Sequence, residues 1–305
     1  MAAILTRHRR FLAALVLVVG ACAHSGGDAT TTNTLVTPGV TSTTASGDTT
    51  ASTARSSGSG GGTTATTQRA GSATTTRAAS SGDKGIAGAA TGPVGAFAGV
   101  LLAPGQASNI VLDVLVQPGV SADADVINTL RQILAASSAK PVTVSGPRPL
   151  NSSTTTYDSD AVRRLADAQG KAQGAATAVV HLLYLKGAYS DDSVLGVTVR
   201  ADTTAVFPDQ ITGATSPLVS RRRLEQAVDT HELGHVLGLV DLYLNDGRDD
   251  PDHPGHSTNP RSVMYWAVES DLVSQALGGP PPVDFDAADQ SDLRKIHGGA
   301  AASGQ

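Results

Sequence analysis

The alternation of apolar and polar residues divides residues 94–298 into strand and helix candidates. Strands are predicted where short apolar runs lie between turn residues, at 110–116, 141–144, 178–185 and from 195 onward. Helices are predicted where apolar residues recur every three or four positions: after Ser121, which would cap the first, from Asp160, at 221–238 and after Asp284. Strands that alternate with helices favour a mixed α/β (α+β) fold, in which helices pack on a twisted sheet.

The first residues have a different pattern. Three arginines among residues 7–10 precede the apolar run 11–19, a layout that is typical of a secretory signal peptide and short for a membrane span. The run ends in Val-Gly-Ala-Cys at Cys22, which resembles the lipobox of bacterial lipoproteins. The resemblance implies that 1–21 is a signal peptide and that lipid on Cys22 anchors the exported protein to the extracytoplasmic side of the cell membrane. The alternative is a plain signal peptide followed by an incidental cysteine.

Composition separates a tether from a folded domain. Thr, Ser, Gly and Ala dominate residues 22–93, which contain no aromatic residue, so we expect a disordered tether there. Residues 94–298 can then form one domain with its own core, and 299–305 a flexible tail. The chain has 305 residues, a net charge of -5 and one cysteine. No internal disulfide is possible, and the mild acidity without a basic patch argues against a nucleic-acid partner. The sequence indicates no oligomeric state.

One segment carries the candidate chemistry, the motif His-Glu-x-x-His at 231–235. Residues four apart lie on the same face of a helix, so His231 and His235 can bind one metal ion. Glu232 projects about 100° around the helix from His231, beside the pair, where it can act on water as a general base. This division of roles predicts a zinc-dependent hydrolase. The alternative is two histidines on a solvated helix face.

Further along the chain, Gly238 and the sequence Ser-Val-Met-Tyr at 262–265 extend the motif. Together they resemble the metzincin metallopeptidases, whose pattern is His-Glu-x-x-His-x-x-Gly-x-x-His/Asp followed by a Met-containing turn. The resemblance implies a metzincin-like sheet with an active-site helix that ends at Gly238, one catalytic Zn²⁺, and a structural role for Met264 in the turn. It also implies a zinc endopeptidase that acts on peptide or protein substrates with Glu232 as its catalytic base.

The third metal ligand has two candidates. Counting forward from Gly238 gives Asp241, as in the snapalysin-like metzincins. Counting back from Met264 gives His256, in a segment that resembles the third ligand and Met-turn of matrixins and archaemetzincins. We favour His256, because that match covers more positions and imidazole is a good neutral zinc ligand.

With His256 as the ligand, residues 241–255 form an insertion that is rich in aspartate. Its oxygen ligands would suit Ca²⁺, but their spacing does not follow an EF-hand, and a solvated loop is the favoured interpretation.

Two other functions fit the same residues. The protein could be a surface-anchored lipoprotein that binds a metal without proteolysis, because the inserted loop could cover the cleft. It could also be a zinc hydrolase of a non-peptide substrate, because the motif determines the position of the water and not the substrate.

Overall fold

The computed structural model describes residues 85–302. The predicted signal peptide, the predicted lipidation site Cys22, nearly all of the predicted tether and the last three residues lie outside the described residues. Within the described part of the chain, no helix combines the length and the apolar character that a bilayer-spanning segment requires.

The described chain contains strands and helices of very different length. The strands are β1 (Asn109–Val116), β2 (Val142–Pro149), β3 (Thr156–Tyr157), β4 (Thr177–Tyr184), β5 (Ala188–Tyr189), β6 (Gly196–Arg200), β7 (Thr203–Val206), β8 (Asp249–Asp250) and β9 (His253–Ser257). The helices are α1 (Ile86–Ala90), α2 (Ala98–Leu102), α3 (Ala124–Ser138), α4 (Ser159–Gln169), α5 (Pro208–Gly213), α6 (Arg221–Val236), α7 (Val273–Leu277) and α8 (Ala287–His297). A 3₁₀ turn, Trp266–Glu269, lies between β9 and α7.

The main sheet has five strands in the order β2-β1-β4-β7-β6. Strand β1 pairs in parallel with β2 and β4, β4 pairs in parallel with β7, and β6 lies antiparallel to β7 at the edge. The predicted mixed α/β fold is therefore confirmed. Strand β4 is buried at every residue after Thr177, as a central strand covered on both faces should be.

The start of α3 differs from the prediction. Its N-cap is Asp123, whose Oδ1 accepts from the backbone N–H groups of Asp125 at 2.9 Å and Val126 at 3.4 Å. The predicted cap, Ser121, is therefore wrong. An aspartate at this position satisfies N–H groups that the first turn of a helix leaves without partners.

An ionic cluster around the buried Asp113 joins β1, β2 and β4. Asp113 on β1 accepts from Arg148 on β2 at 2.9 Å and from the backbone N–H of Lys171 at 2.8 Å, and it lies 3.3 Å from Nδ1 of His181 on β4. Burial opposes ionisation of Asp113, but these partners outweigh it and lower its pKa from 3.8 to about 2. The carboxylate is thus ionised in the folded protein at neutral pH.

Helix α6 is the element that positions the motif. It packs against β6, β7, α3 and the 3₁₀ turn, and every residue from 227 to 236 is buried. Its histidines therefore do not lie on a solvated helix face, which excludes that alternative. The helix ends at Val236, and Gly238 follows with φ +74°, as predicted for a glycine that redirects the chain. The packed core also reaches back before residue 94, since Ile86 and Ala90 of α1 are buried in it.

Candidate metal centre

The two motif histidines lie one turn apart on α6 and face the same point. Their Nε2 atoms are 3.0 Å apart, and the two ring planes are nearly perpendicular, at 84°. His231 is fully buried and His235 is 7% exposed. The four-residue spacing therefore produces the paired imidazoles that it predicts.

Two further side chains complete a cluster around this pair. His256, on β9, brings its ring centroid within 5.1 Å of that of His231 and 5.0 Å of that of His235. Glu269, at the end of the 3₁₀ turn, places Oε2 3.6 Å from Nε2 of His231 and Oε1 3.2 Å from Nε2 of His256. One ligand atom from each of the four residues lies within 4.8 Å of the others. Donors at about 2.0–2.1 Å from a tetrahedral zinc are separated by about 3.4 Å, so this cluster has the dimensions of a zinc site.

Backbone carbonyls determine which ring nitrogens face the cluster. Nδ1 of His231 lies 2.7 Å from the carbonyl oxygen of Val263, and Nδ1 of His256 lies 3.3 Å from that of His253. A carbonyl only accepts, so Nδ1 carries a proton in both rings, and in the neutral ring Nε2 directs its lone pair toward the cluster. Among the described residues, the buried Nε2 of His256 has no hydrogen bond. A metal ion bound in the cluster would give this nitrogen a partner.

The electrostatics of the pair also suit a metal. Burial lowers the pKa of His235 well below its usual value, and the neighbouring rings of His231 and His256 lower it further. Only a neutral imidazole can bind a metal, because protonation removes the lone pair. The fold therefore keeps His235 in the form that a metal ligand requires.

Met264 lies directly against the motif helix. It is fully buried, and a Cβ added at Gly234 would lie 2.2 Å from its Sδ. Glycine between the two histidines is thus what allows the Met-turn to approach α6. Ser262 ties the turn to α8, because its hydroxyl donates to Asp289 at 3.0 Å and accepts from the N–H of Met264 at 3.0 Å.

Glu232 is buried beside the cluster with one carboxylate oxygen held and the other without a partner. Its Oε2 accepts from the hydroxyl of Thr198 on β6 at 2.6 Å, while Oε1 has no hydrogen bond among the described residues. Burial raises the pKa of Glu232 well above its usual value, and the charge of Glu269 raises it further. Gly196 leaves room for this carboxylate, since a Cβ there would lie 2.9 Å from Oε1. A carboxylate with a raised pKa and a free oxygen can both accept and return a proton.

The two candidates for the third ligand lie in different places. The structure brings His256 to the pair, whereas Asp241 lies outside the cluster. The carboxylate of Asp241 accepts from the backbone N–H groups of Asp246 at 3.0 Å, Gly247 at 3.1 Å and Asp249 at 3.2 Å. In this structure Asp241 organises the inserted loop.

The aspartates of the insertion are largely engaged with cations or backbone. Asp246 lies 3.0 Å from Nζ of Lys295 and 3.5 Å from Nε of Arg248, while Asp249 accepts from the N–H of Gly255 at 2.5 Å. Arg248 also pairs with Asp292 of α8. Within residues 85–302, the insertion contains no close group of three possible metal ligands. The solvated loop stays the favoured prediction, with calcium binding as its alternative.

Three residues at the site were not identified from the sequence: Glu269, Thr198 and Gly196. None belongs to a recognisable motif. Glu269 and Thr198 reach the site only through long-range packing of the 3₁₀ turn and of β6 against α6. An acidic residue five positions after the Met-turn methionine was the only local signal for Glu269.

Comparisons with known proteins give only distant similarities. No family model matches the chain, and no curated protein sequence matches it. Among solved structures, it is similar to the archaemetzincin of Archaeoglobus fulgidus complexed with malonate, with 15% identity over 60% of this chain and 98% of that one and a TM-score of 0.36. It is also similar to the archaemetzincin of Methanopyrus kandleri, with 17% identity over 62% and 96% and a TM-score of 0.38. The zinc-dependent peptidase of Methanocorpusculum labreanum gives 18% identity over 60% and 99% and a TM-score of 0.36. These similarities are too distant to assign an activity.

Proposed function

We propose that this protein is a zinc-dependent endopeptidase whose zinc ion is held by His231, His235 and His256. The observation that carries the proposal is a largely buried cluster of three imidazoles, together with Glu232, which directly follows His231 and whose Oε1 has no hydrogen bond among the described residues. Buried polar atoms without partners are rare and call for an explanation. A metal ion and the water that attacks the substrate would account for the nitrogen and oxygen atoms together.

The residues of the site divide the chemistry between them. A zinc ion bound to the histidines would supply Lewis acidity, which lowers the pKa of water and polarises a peptide carbonyl. Glu232 would take the proton of the attacking water on Oε1 and later deliver it to the leaving amine. Thr198 holds the other oxygen of Glu232, so the side chain keeps one orientation through both proton transfers.

The test is hydrolysis of casein and of a quenched peptide library by the full-length protein. We expect hydrolysis to stop with a chelator and to return with zinc. Glu232→Gln should keep its zinc but lose at least about 100-fold in turnover, the size of a general-base contribution. Asp271→Asn, which removes a nearby exposed carboxylate outside the cluster, should hydrolyse normally. Wild-type turnover in Glu232→Gln would contradict the proposal.

One observation favours a second candidate, a metal-binding protein without proteolytic turnover. Glu269 adds a carboxylate to the three histidines, and sites with four protein donors are usually structural, whereas catalytic zinc sites keep one position open. Tight zinc binding without hydrolysis of any peptide in the library would support this candidate.

We further propose that the protein is exported and anchored through lipid on Cys22. The support is the basic and apolar pattern of residues 7–19 followed by Val-Gly-Ala-Cys. Cys22→Ser should move the protein from the membrane fraction to the soluble fraction of the exporting cell. Unchanged fractionation would contradict lipid anchoring.

A further inference from the structure

The carboxylate of Glu269 lies among the histidine nitrogens of the cluster. Its two oxygens face two different histidines, Oε2 toward His231 at 3.6 Å and Oε1 toward His256 at 3.2 Å. Both distances are close to the separation of about 3.4 Å expected between donors of one tetrahedral zinc ion. Glu269 therefore has the position of a ligand rather than that of a neighbour outside the cluster.

The backbone holds Glu269 at this position. Its carbonyl accepts from the N–H of Leu195 at 2.7 Å, and the N–H of Asp271 donates to the carbonyl of Ser193 at 2.9 Å. A β-bridge joins Val194 to Ser270 between these two bonds. The end of the 3₁₀ turn is thus paired with the segment that leads into β6, and Glu269 does not lie on a free loop.

Among the described residues, no lysine or arginine pairs with Glu269. Its side chain is 27% exposed, and within residues 85–302 its ion pairs are with His231 and His256, not with a lysine or arginine. Carbonyl partners at Nδ1 leave Nε2 of both rings directed at the carboxylate. A largely buried carboxylate needs a charge partner, and a metal ion between the four side chains would supply one.

We propose that Glu269 is a fourth protein donor to the metal and closes the site at rest. The inference rests on the proposed function, because closure matters for a site that must admit water and substrate. The carboxylate must then leave the metal before substrate can bind, so Glu269 regulates access to the site. The side chain can turn away while its backbone stays paired with the Ser193–Leu195 segment.

The experiment compares the full-length wild type with Glu269→Gln and with Asp271→Asn as matched control. Asp271 lies two residues further on and is exposed, so its variant removes the same charge without changing the cluster. Zinc affinity is measured by competition with a chelator. Access to the fourth position is measured by titrating azide into the cobalt-loaded proteins and recording the visible absorption of cobalt. Circular dichroism establishes that each variant is folded.

We expect Glu269→Gln to bind zinc at least about tenfold more weakly, because loss of even an outer partner of a ligand costs 10- to 100-fold. We also expect half-saturation of the cobalt by azide at a concentration at least about tenfold lower in this variant than in the wild type. In the wild type, azide must compete with a tethered carboxylate, which has a high effective concentration at the metal. Asp271→Asn should match the wild type in both titrations.

Equal azide affinity in the wild type and Glu269→Gln would overturn the inference, even if zinc binding weakened, because Glu269 would then act only as a nearby charge. That result would leave the peptidase proposal intact. Conversely, the expected shifts in a protein that hydrolyses no peptide would support the inference while the peptidase proposal failed. A wild type that binds no metal would overturn both.

Discussion

Gly234→Ala tests whether the Met-turn rests on the motif helix. Alanine would ordinarily stabilise a helix interior by about 1 kcal/mol relative to glycine. Here its Cβ would lie 2.2 Å from Sδ of Met264, 3.0 Å from Cε of the same residue and 3.1 Å from Cε1 of Phe285. Ordinary contacts begin at about 3.5 Å, so the sulfur would have to move by about 1.3 Å. Met264 is fully buried and has little space into which it could move.

Overpacking of this kind costs about 1–3 kcal/mol, and we take the upper half of that range because three contacts are short. After subtraction of the helix preference, Gly234→Ala should lower the free energy of unfolding by about 1–2 kcal/mol. For a domain of this size, that is a decrease of about 2–8 °C in Tm. Urea titration and thermal melts followed by circular dichroism measure both quantities.

Two comparisons isolate the contact. In a Met264→Ala background both clashes with Met264 disappear and only the milder contact with Phe285 at 3.1 Å remains. Adding Gly234→Ala there should be close to neutral, which gives a coupling energy of about 1–2 kcal/mol. Gly213→Ala, at the end of α5, meets no atom within 4 Å and should be neutral or slightly stabilising. Stabilisation by Gly234→Ala in the presence of Met264 would refute the packing of the turn against the helix.

Three further predictions follow from the contacts described above. Thr198→Val should leave zinc affinity unchanged and lower kcat about tenfold, because the hydroxyl that donates to Glu232 is lost. An unchanged kcat would mean that this hydrogen bond has no catalytic role. The pKa of Asp113 falls from 3.8 to about 2 on folding, so its ionised form stabilises the protein by about 2 kcal/mol above pH 3.8, and this stabilisation is lost as the pH falls through 2. Asp113→Asn should therefore weaken the dependence of the unfolding free energy on pH in this range, measured by urea unfolding at a series of pH values. An unchanged pH dependence would contradict the prediction. Asp123→Ala should destabilise the protein by about 1 kcal/mol in urea, whereas Ser121→Ala should have no effect, and the reverse order would restore Ser121 as the cap.

The fold could be predicted where its signals are local. The apolar runs of β1 and β4 predict strands by themselves, and the longer run of β4 also predicts a central strand, because both faces of such a strand are covered. The residue that caps α3 could not be predicted from local sequence, because serine and aspartate are both good caps. Contacts with α6 select Asp123: its N–H donates to Glu225 at 2.7 Å, and its carboxylate pairs with Arg222 at 2.9 Å.

At the metal centre too, local signals could be predicted and long-range contacts could not. His231, Glu232 and His235 follow from helix geometry alone, since their spacing determines their directions. The choice between Asp241 and His256 depends on how a 15-residue insertion folds, which the sequence does not show. In the structure β9 pairs with β8, and Asp241 binds the backbone of the inserted loop. Glu269 was missed because its position depends on pairing with a segment more than 70 residues earlier in the chain.

Zinc stoichiometry of the full-length wild type, His256→Ala and Asp241→Ala, with X-ray absorption distances, tests the central claim most directly. We predict one tightly bound zinc ion in the wild type and in Asp241→Ala, with metal–nitrogen distances of about 2.0–2.1 Å, and loss of tight binding in His256→Ala. A wild type without bound metal would contradict the metal centre. Loss of zinc in Asp241→Ala but not in His256→Ala would contradict the ligand set.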